Sequence, residues 1–363
     1  CIRDSYTTSL FIVIGPGSIA YCPILFNRFN LQYMRQLYYL SLKVLRKLYS
    51  SIKGSKRTPL MAWAIKDPNK ASDIIYNVLS RGKPCMIARY GATEINSIAN
   101  YIGVSNNKHD ALGFIKGKAP QWWWNASGMK QMAEWSGFFP ATPEYLSRFG
   151  KMMIEDSKEL DVLGSWQENE KYFQDIYGNI PQIALPYLEP FHSVRPWTRY
   201  LKDKRVVVVH PFASAISQQY NRRGLLFENK DILPDFKSFR VIPAVQSLGG
   251  KCDRFKDWFE ALDWMKSELD REEYDVALIG CGAYGFPLAA HSKRTGHQAI
   301  HLAGALQLLF GIKGNRWEND GQCRYWNMPL DSYKKLFNPH WIRPGVQDLS
   351  LIHISEPTRR VVI

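Results

Sequence analysis

Between residues 34 and 53 the apolar positions Leu37, Leu40, Val44, Leu45, Leu48 and Ile52 recur at spacings near three and four. That is the period of a helix with one apolar side, and basic residues fill the positions between. Downstream the pattern changes to short apolar runs alternating with helical periods. A helix over 71–79 carries Ile74, Ile75, Val78 and Leu79 on one side and stops near Gly82. A strand over 85–88 follows, then a helix with Ile95, Ile98 and Ile102. Prolines 181, 186, 190 and 196 mark a linker. Beyond it come a strand over 205–209, a helix over 213–220, a strand over 239–245 and a helix over 255–269 with Trp258, Phe259, Leu262 and Met265 inward. The chain closes with a strand over 276–279, a glycine turn, a helix stopped by Gly296, a strand over 298–302 and an apolar helix between Gly304 and Gly314. Such alternation predicts an α/β domain with a mostly parallel sheet and helices on both faces.

Gly280-Cys281-Gly282-Ala283-Tyr284-Gly285 satisfies G-x-G-x-x-G between a strand and a helix. Glycines there let the backbone bend sharply and approach a ligand, and the free N–H groups of a helix start attract an anion such as a phosphate. The competing reading is that the glycines only allow close packing of strand and helix. The dinucleotide form of the motif expects Asp or Glu about 20 residues on. Here the next strand ends on His301, which counts against NAD, not expected here, and weakens the case for S-adenosylmethionine. Arg89-Tyr90-Gly91-Ala92-Thr93-Glu94 leaves the first strand at its C-terminal end, where open α/β sheets bind ligands. Glu94 could face a ligand or complement a helix dipole, and Arg89 could face a ligand or pair structurally. His210, at the end of another strand, is a candidate ligand contact or a buried histidine. Trp122, Trp123, Trp124 and Trp135 are candidates for a sugar-stacking platform or for the core.

The net charge of +14 is uneven: no Asp or Glu lies between Ser5 and Lys66, where nine Lys and Arg residues fall. A basic N-terminal segment is therefore expected rather than a nucleic-acid-binding domain. Its amphipathic helix suits an anionic membrane surface, or packing on its own domain. The apolar run over 10–26 is broken by Gly15-Pro16-Gly17 and is not expected to span a membrane. Six scattered cysteines without C-x-x-C spacing fit a reduced cytoplasmic chain and no zinc site. The expected divisions are 1–33 as an upstream segment, 34–57 as the basic amphipathic helix and 58–345 as the α/β domain. The tail 346–363, containing Leu-Ser-Leu-Ile-His-Ile-Ser-Glu-Pro-Thr-Arg, reads as a translated adapter sequence.

The stretch from Arg89 to Glu94 resembles the Arg-Phe-Gly-Asp-Gly-Glu segment of the GT-D fold bacterial glycosyltransferases. The unit from Ile279 to Leu302, and the stretches Gly282–His291 and Gly304–Gly314, resemble surface-polysaccharide-cluster members of that group. The resemblance implies a Rossmann-like domain binding a nucleotide diphosphate sugar at the C-terminal edge of its sheet. It implies transfer to a lipid-linked or glycan acceptor in surface-polysaccharide assembly, at the inner face of the plasma membrane. It also implies a divalent metal, Mn or Mg, near Glu94; with the strand-end and turn readings above, Glu94 and Arg89 are the expected catalytic residues, and Gly91, His210, Gly280, Gly282, Ala283, Tyr284, Gly285, His301 and Gln307 the expected donor contacts. Two positions depart: Ala92 stands where the family has Asp, and His301 and Gly304 replace an Asp-x-Gly-His ending. A non-catalytic assembly protein and a methyltransferase are the alternative readings.

Overall fold

The computed structural model describes residues 23–53, 61–106, 108–247 and 249–344. The expected adapter-like tail and most of the 1–33 segment lie outside them. The described residues form two compact units, one within 23–53 and 110–118 and the other within 61–109 and 119–344.

In the first unit, α1 (Pro23–Ile52) forms a single helix of 30 residues, starting earlier than the periodicity alone suggests. The short α4 (Ala111–Ile115), whose start is capped by the Asp110 carboxylate accepting from Gly113 N at 2.7 Å, packs against it. Arg46 lies over the Phe114 ring at 4.7 Å. No helix among the described residues is long and apolar enough to cross a membrane.

The second unit is an α/β domain of Rossmann-like type on one seven-stranded sheet, all of it parallel. In chain order its elements are α2 (Pro68–Ser80), β1 (Cys85–Ala88), α3 (Ala92–Ser105), α5 (Ala126–Ser136), α6 (Pro143–Ser157), β2 (Leu160–Ser165), α7 (Gln174–Tyr177) and β3 (Gln182–Ala184). There follow β4 (Arg205–His210), α8 (Ala213–Asn221), β5 (Ser238–Pro243), α9 (Trp258–Asp270), β6 (Val276–Ile279), α10 (Gly285–Arg294), β7 (Gln298–His301) and α11 (Leu306–Leu309). The strands lie side by side as β3-β2-β1-β7-β6-β4-β5.

Alternate side chains of each strand serve opposite faces, as a pleat requires. Ile87, Val206, Val208, Leu278 and Ile300 meet α2, α8 and the chain after β7 on one face. Met86, Ala88, Val207, Val209, Ala277 and Ile279 meet α3, α6, α9 and α10 on the other. Buried on both sides, the strands read as unbroken apolar runs, which is why β1, β4 and β6 are visible in the sequence.

Several local expectations are corrected. The strand expected over 239–245 spans Ser238–Pro243, and the helix expected from 255 begins at Trp258 because Asp257 caps it, accepting from Glu260 N at 2.9 Å. The helix expected between Gly304 and Gly314 is reduced to a four-residue α11, since Gly311 adopts φ +64° and ends it. The segment read as a linker contains β3, three residues that complete one edge of the sheet.

Candidate functional site at the C-terminal edge of the sheet

Register places the candidate residues along one edge. Ile87 pairs with Ile300, Ile279 with His301 and Val209 with Ile279, so the chain leaves β1, β7, β6 and β4 at a common level. Beyond that level the connections diverge. After β4 the chain turns into α8 on one face, after β6 into α10 on the other, and after β7 back to the first. A crevice at such a reversal is where open α/β sheets receive ligands. Arg89 and His210 sit three strand spacings apart across it, about 14 Å.

The three glycines of the turn do different work. A Cβ at Gly280 would meet Ala303 O and His210 Cδ2, each at 2.7 Å, and one at Gly285 would overlap the His301 ring. Both are there for close packing. Gly282 is exposed, adopts φ +58° and would have nothing within 4 Å of a Cβ, so it presents backbone to open space. The neighbouring Ala303 also holds a left-handed φ of 51°, unusual for a residue with a side chain. Backbone held this way costs on the order of 1 kcal/mol or more and gathers at functional edges.

The side chains of Ala283 and Tyr284 turn inward instead. Tyr284 stacks on Trp258 with ring centroids 4.8 Å apart, and its hydroxyl meets Ser247 Oγ at 2.8 Å. Cys281 is buried, and burial pushes its thiol up, so it remains a protonated apolar group rather than a nucleophile. Gln307 is a structural staple: its Nε2 donates to Ile312 O at 3.2 Å and Lys313 O at 3.0 Å.

His301 and His210 are both neutral. The His301 ring is buried beside Gly285, and its Nδ1–H donates to Ile279 O at 3.2 Å, which leaves the lone pair on Nε2. Burial, helped by the Arg89 charge, lowers its pKa to about 3. His210 Nδ1 accepts from Phe212 N at 3.0 Å, and burial likewise lowers its pKa to about 3. His301 can therefore accept a hydrogen bond from a ligand hydroxyl, whereas His210 braces its own loop.

Gly91 is the N-cap of α3, and Glu94 stands in the first helical turn. The Glu94 carboxylate folds back over Gly91 and fills the volume a Cβ would need there. It is only 8% exposed, yet it has neither hydrogen bond nor ion pair among the described residues. Its oxygens are not among the buried side-chain atoms that lack a partner, so the carboxylate reaches the surface of the edge.

A second carboxylate, not anticipated from the sequence, holds the adjacent loop. Glu170 is fully buried and accepts from Ser165 Oγ at 2.5 Å and from the backbone N–H groups of Trp166 and Gln167, each at 2.9 Å. Desolvation raises its pKa to about 7 despite these bonds. With its oxygens saturated, Glu170 is a positioning residue. It fixes Trp166, whose Nε1 donates to Tyr90 O at 2.8 Å and whose ring lies 4.7 Å beneath the Arg89 guanidinium. The legible signal was Gln167-x-x-Glu170, a capping box just after a strand.

The tryptophan run does not join this edge. Asn100, in the later half of α3, bonds the carbonyls of Gln121 and Trp123 at 3.0 and 2.8 Å, while Glu94 opens that helix. Trp122 is buried, stacking on His109.

No group of three or more His, Cys, Asp or Glu that could hold a metal occurs among the described residues. The edge offers one unpartnered carboxylate, since Glu170 is saturated and position 92 is Ala. The residues present do not by themselves fit a divalent cation, which prefers six or more oxygens. No family model matches the chain, and comparison with curated proteins and with solved structures finds no match.

Proposed function

We propose that the protein is a glycosyltransferase that takes a nucleotide diphosphate sugar at the C-terminal edge of its sheet. The observation that carries this reading is Glu94, a mostly buried carboxylate without a protein partner among the described residues, set at a sheet edge that also holds Arg89, His301 and the open backbone of Gly282. The donor diphosphate lies against the Gly280–Gly285 turn and the start of α10, with Arg89 as its fixed cation. His301 accepts a hydrogen bond from a sugar or ribose hydroxyl. In the reaction the bond between the anomeric carbon and the diphosphate breaks as an acceptor oxygen bonds to that carbon. Glu94 takes the acceptor hydroxyl's proton, and Arg89 with the turn's N–H groups stabilises the charge gathering on the departing diphosphate. The acceptor class is a glycan or lipid-linked hydroxyl of surface-polysaccharide assembly.

Ala92 favours a second reading, a non-catalytic protein that binds the same ligand without turning it over. The test is a thermal-shift panel on the full chain with UDP, GDP, CMP, NAD and S-adenosylmethionine, each with and without manganese. A ligand at about 100 times its Kd adds about 2.7 kcal/mol, on the order of 5 °C for a domain of this size. A shift with UDP or GDP supports the donor site. A shift with S-adenosylmethionine or NAD alone, or with none, removes it. Nucleotide release from a sugar donor then separates the two readings: a transferase releases nucleotide with the wild-type chain, and a binding protein releases none.

A further inference from the structure

The apolar positions of α1 described to side-chain level, Tyr33 to Ile52, sweep roughly 160° of the helix at about 100° per residue. Leu42, just beyond one border of the arc, is 4% exposed, whereas Leu37, Leu40, Val44, Leu45, Leu48 and Ile52 are between 43% and 86% exposed. The side of α1 that is engaged is thus the side of Leu42 and Arg46, and the broad apolar arc is uncovered among the described residues. Two serines interrupt the arc, and both turn their hydroxyls into the helix: Ser41 Oγ donates to Tyr38 O at 2.7 Å and Ser51 Oγ to Lys47 O at 3.0 Å. The arc therefore presents no unmet hydroxyl donor to an apolar medium.

We infer that this arc docks on an anionic lipid surface, lying in the plane of the interface. Charge selects the occupant. Arg35, Lys43, Arg46, Lys47 and Lys53 occupy the rest of the circumference, and there is no acidic residue anywhere on α1. Lysines 43 and 47 border the arc, placed to meet phosphate headgroups while the leucines enter the acyl boundary. A second copy fits poorly. A paired helix needs a narrow seam flanked by opposite charges, and two copies of α1 would bring lysine against lysine. This inference does not rest on the sugar-transfer reading.

The test is co-sedimentation of the full chain with vesicles of phosphatidylcholine alone or mixed with phosphatidylglycerol, beside sedimentation equilibrium without lipid. Binding should require the anionic lipid. Lys43→Gln with Lys47→Gln should weaken it roughly thirtyfold, two charges each being worth about a fivefold change. Val44→Glu with Leu48→Glu should weaken it by more than about tenfold. Both pairs are exposed, so the thermal midpoint should hold. Absence of sedimentation with anionic vesicles, equal binding to neutral ones, or binding indifferent to the glutamates would overturn the inference. So would a dimer that Val44→Glu with Leu48→Glu dissociates while vesicles bind nothing. Loss of nucleotide binding with vesicle binding intact would count against the transferase alone.

Discussion

Where the strands of the sheet begin, two carboxylates lock neighbouring strands: Asp161 Oδ2 accepts from Met86 N at 2.7 Å and from Lys293 Nζ at 2.8 Å, and Asp275 accepts from Arg205 N at 2.8 Å and Arg205 Nη2 at 2.7 Å. Asp156 is paired with Arg294 at 2.5 Å, and Gln298 Nε2 donates to Leu79 O at 2.7 Å. Where the strands end, Glu94 has no partner among the described residues, Gly282 faces open space and Ala303 holds a strained φ. The first edge is built for holding strands in register. The second holds strained backbone at Ala303 and an open glycine at Gly282, and it is the edge at which open α/β sheets take ligands.

The sharpest break of this contrast is Glu94→Gln, which keeps the volume over Gly91 and removes the charge. Sugar transfer, followed as nucleotide release, should fall by roughly 10²–10⁴-fold, as expected for loss of a general base, with the thermal midpoint unchanged. Wild-type turnover would remove Glu94 from the mechanism.

Asp161→Ala tests the opposite edge. It strips Met86 N of its acceptor and Lys293 of its counter-charge, and should cost about 1–3 kcal/mol in denaturant unfolding. Nucleotide affinity of the folded protein should stay the same. A variant with normal stability but impaired binding would invert the assignment of the two edges.

A smaller effect is read through pH. Glu170 has its folded pKa raised from 4.5 to about 7, so the folded state binds the extra proton. Its contribution is fully present below the unfolded value and is lost as pH rises through about 7. His210 and His301, lowered to about 3, act the other way, favouring the fold above 6.5 and opposing it as pH falls. The difference between wild type and Glu170→Gln isolates the first: cooling-reversible melts should show wild type gaining on the variant as pH falls from about 8 to about 5. A constant difference across that range would show that Glu170 is ionised in the fold.

The smallest change expected is at Glu134, half-exposed and 3.5 Å from Lys130 one helical turn away. Glu134→Ala should alter stability by less than about 0.5 kcal/mol. A larger loss would mean that surface charge contributes to this fold as much as the locked strand starts do.

Much of this was readable along the chain. Apolar runs such as Val206–Val209 and Val276–Ile279 identify strands buried on two faces, and Ile95 and Ile98 repeat at the period of the helix they form. These are local properties: a pleat alternates every two residues and a helix every 3.6, whatever surrounds them. Gly282 was legible as a special backbone position, and Glu94 as a first-turn acid after a strand. Other features were not. β3 is three residues long and takes its form from hydrogen bonds to β2, and Glu170 acquires its character from complete burial beneath Trp166. Nor could the motif reveal that Gly280 and Gly285 are packed against His210 and His301 while only Gly282 is open. Those outcomes depend on which strands become neighbours across the β3-β2-β1-β7-β6-β4-β5 order. The sequence by itself determined the alternation of strand and helix, the basic apolar helix at the start and the residue types delivered to strand ends. Tertiary structure alone decided which of those residues are matched and which are left to meet a ligand, because desolvation and hydrogen-bond pairing belong to neighbours in space.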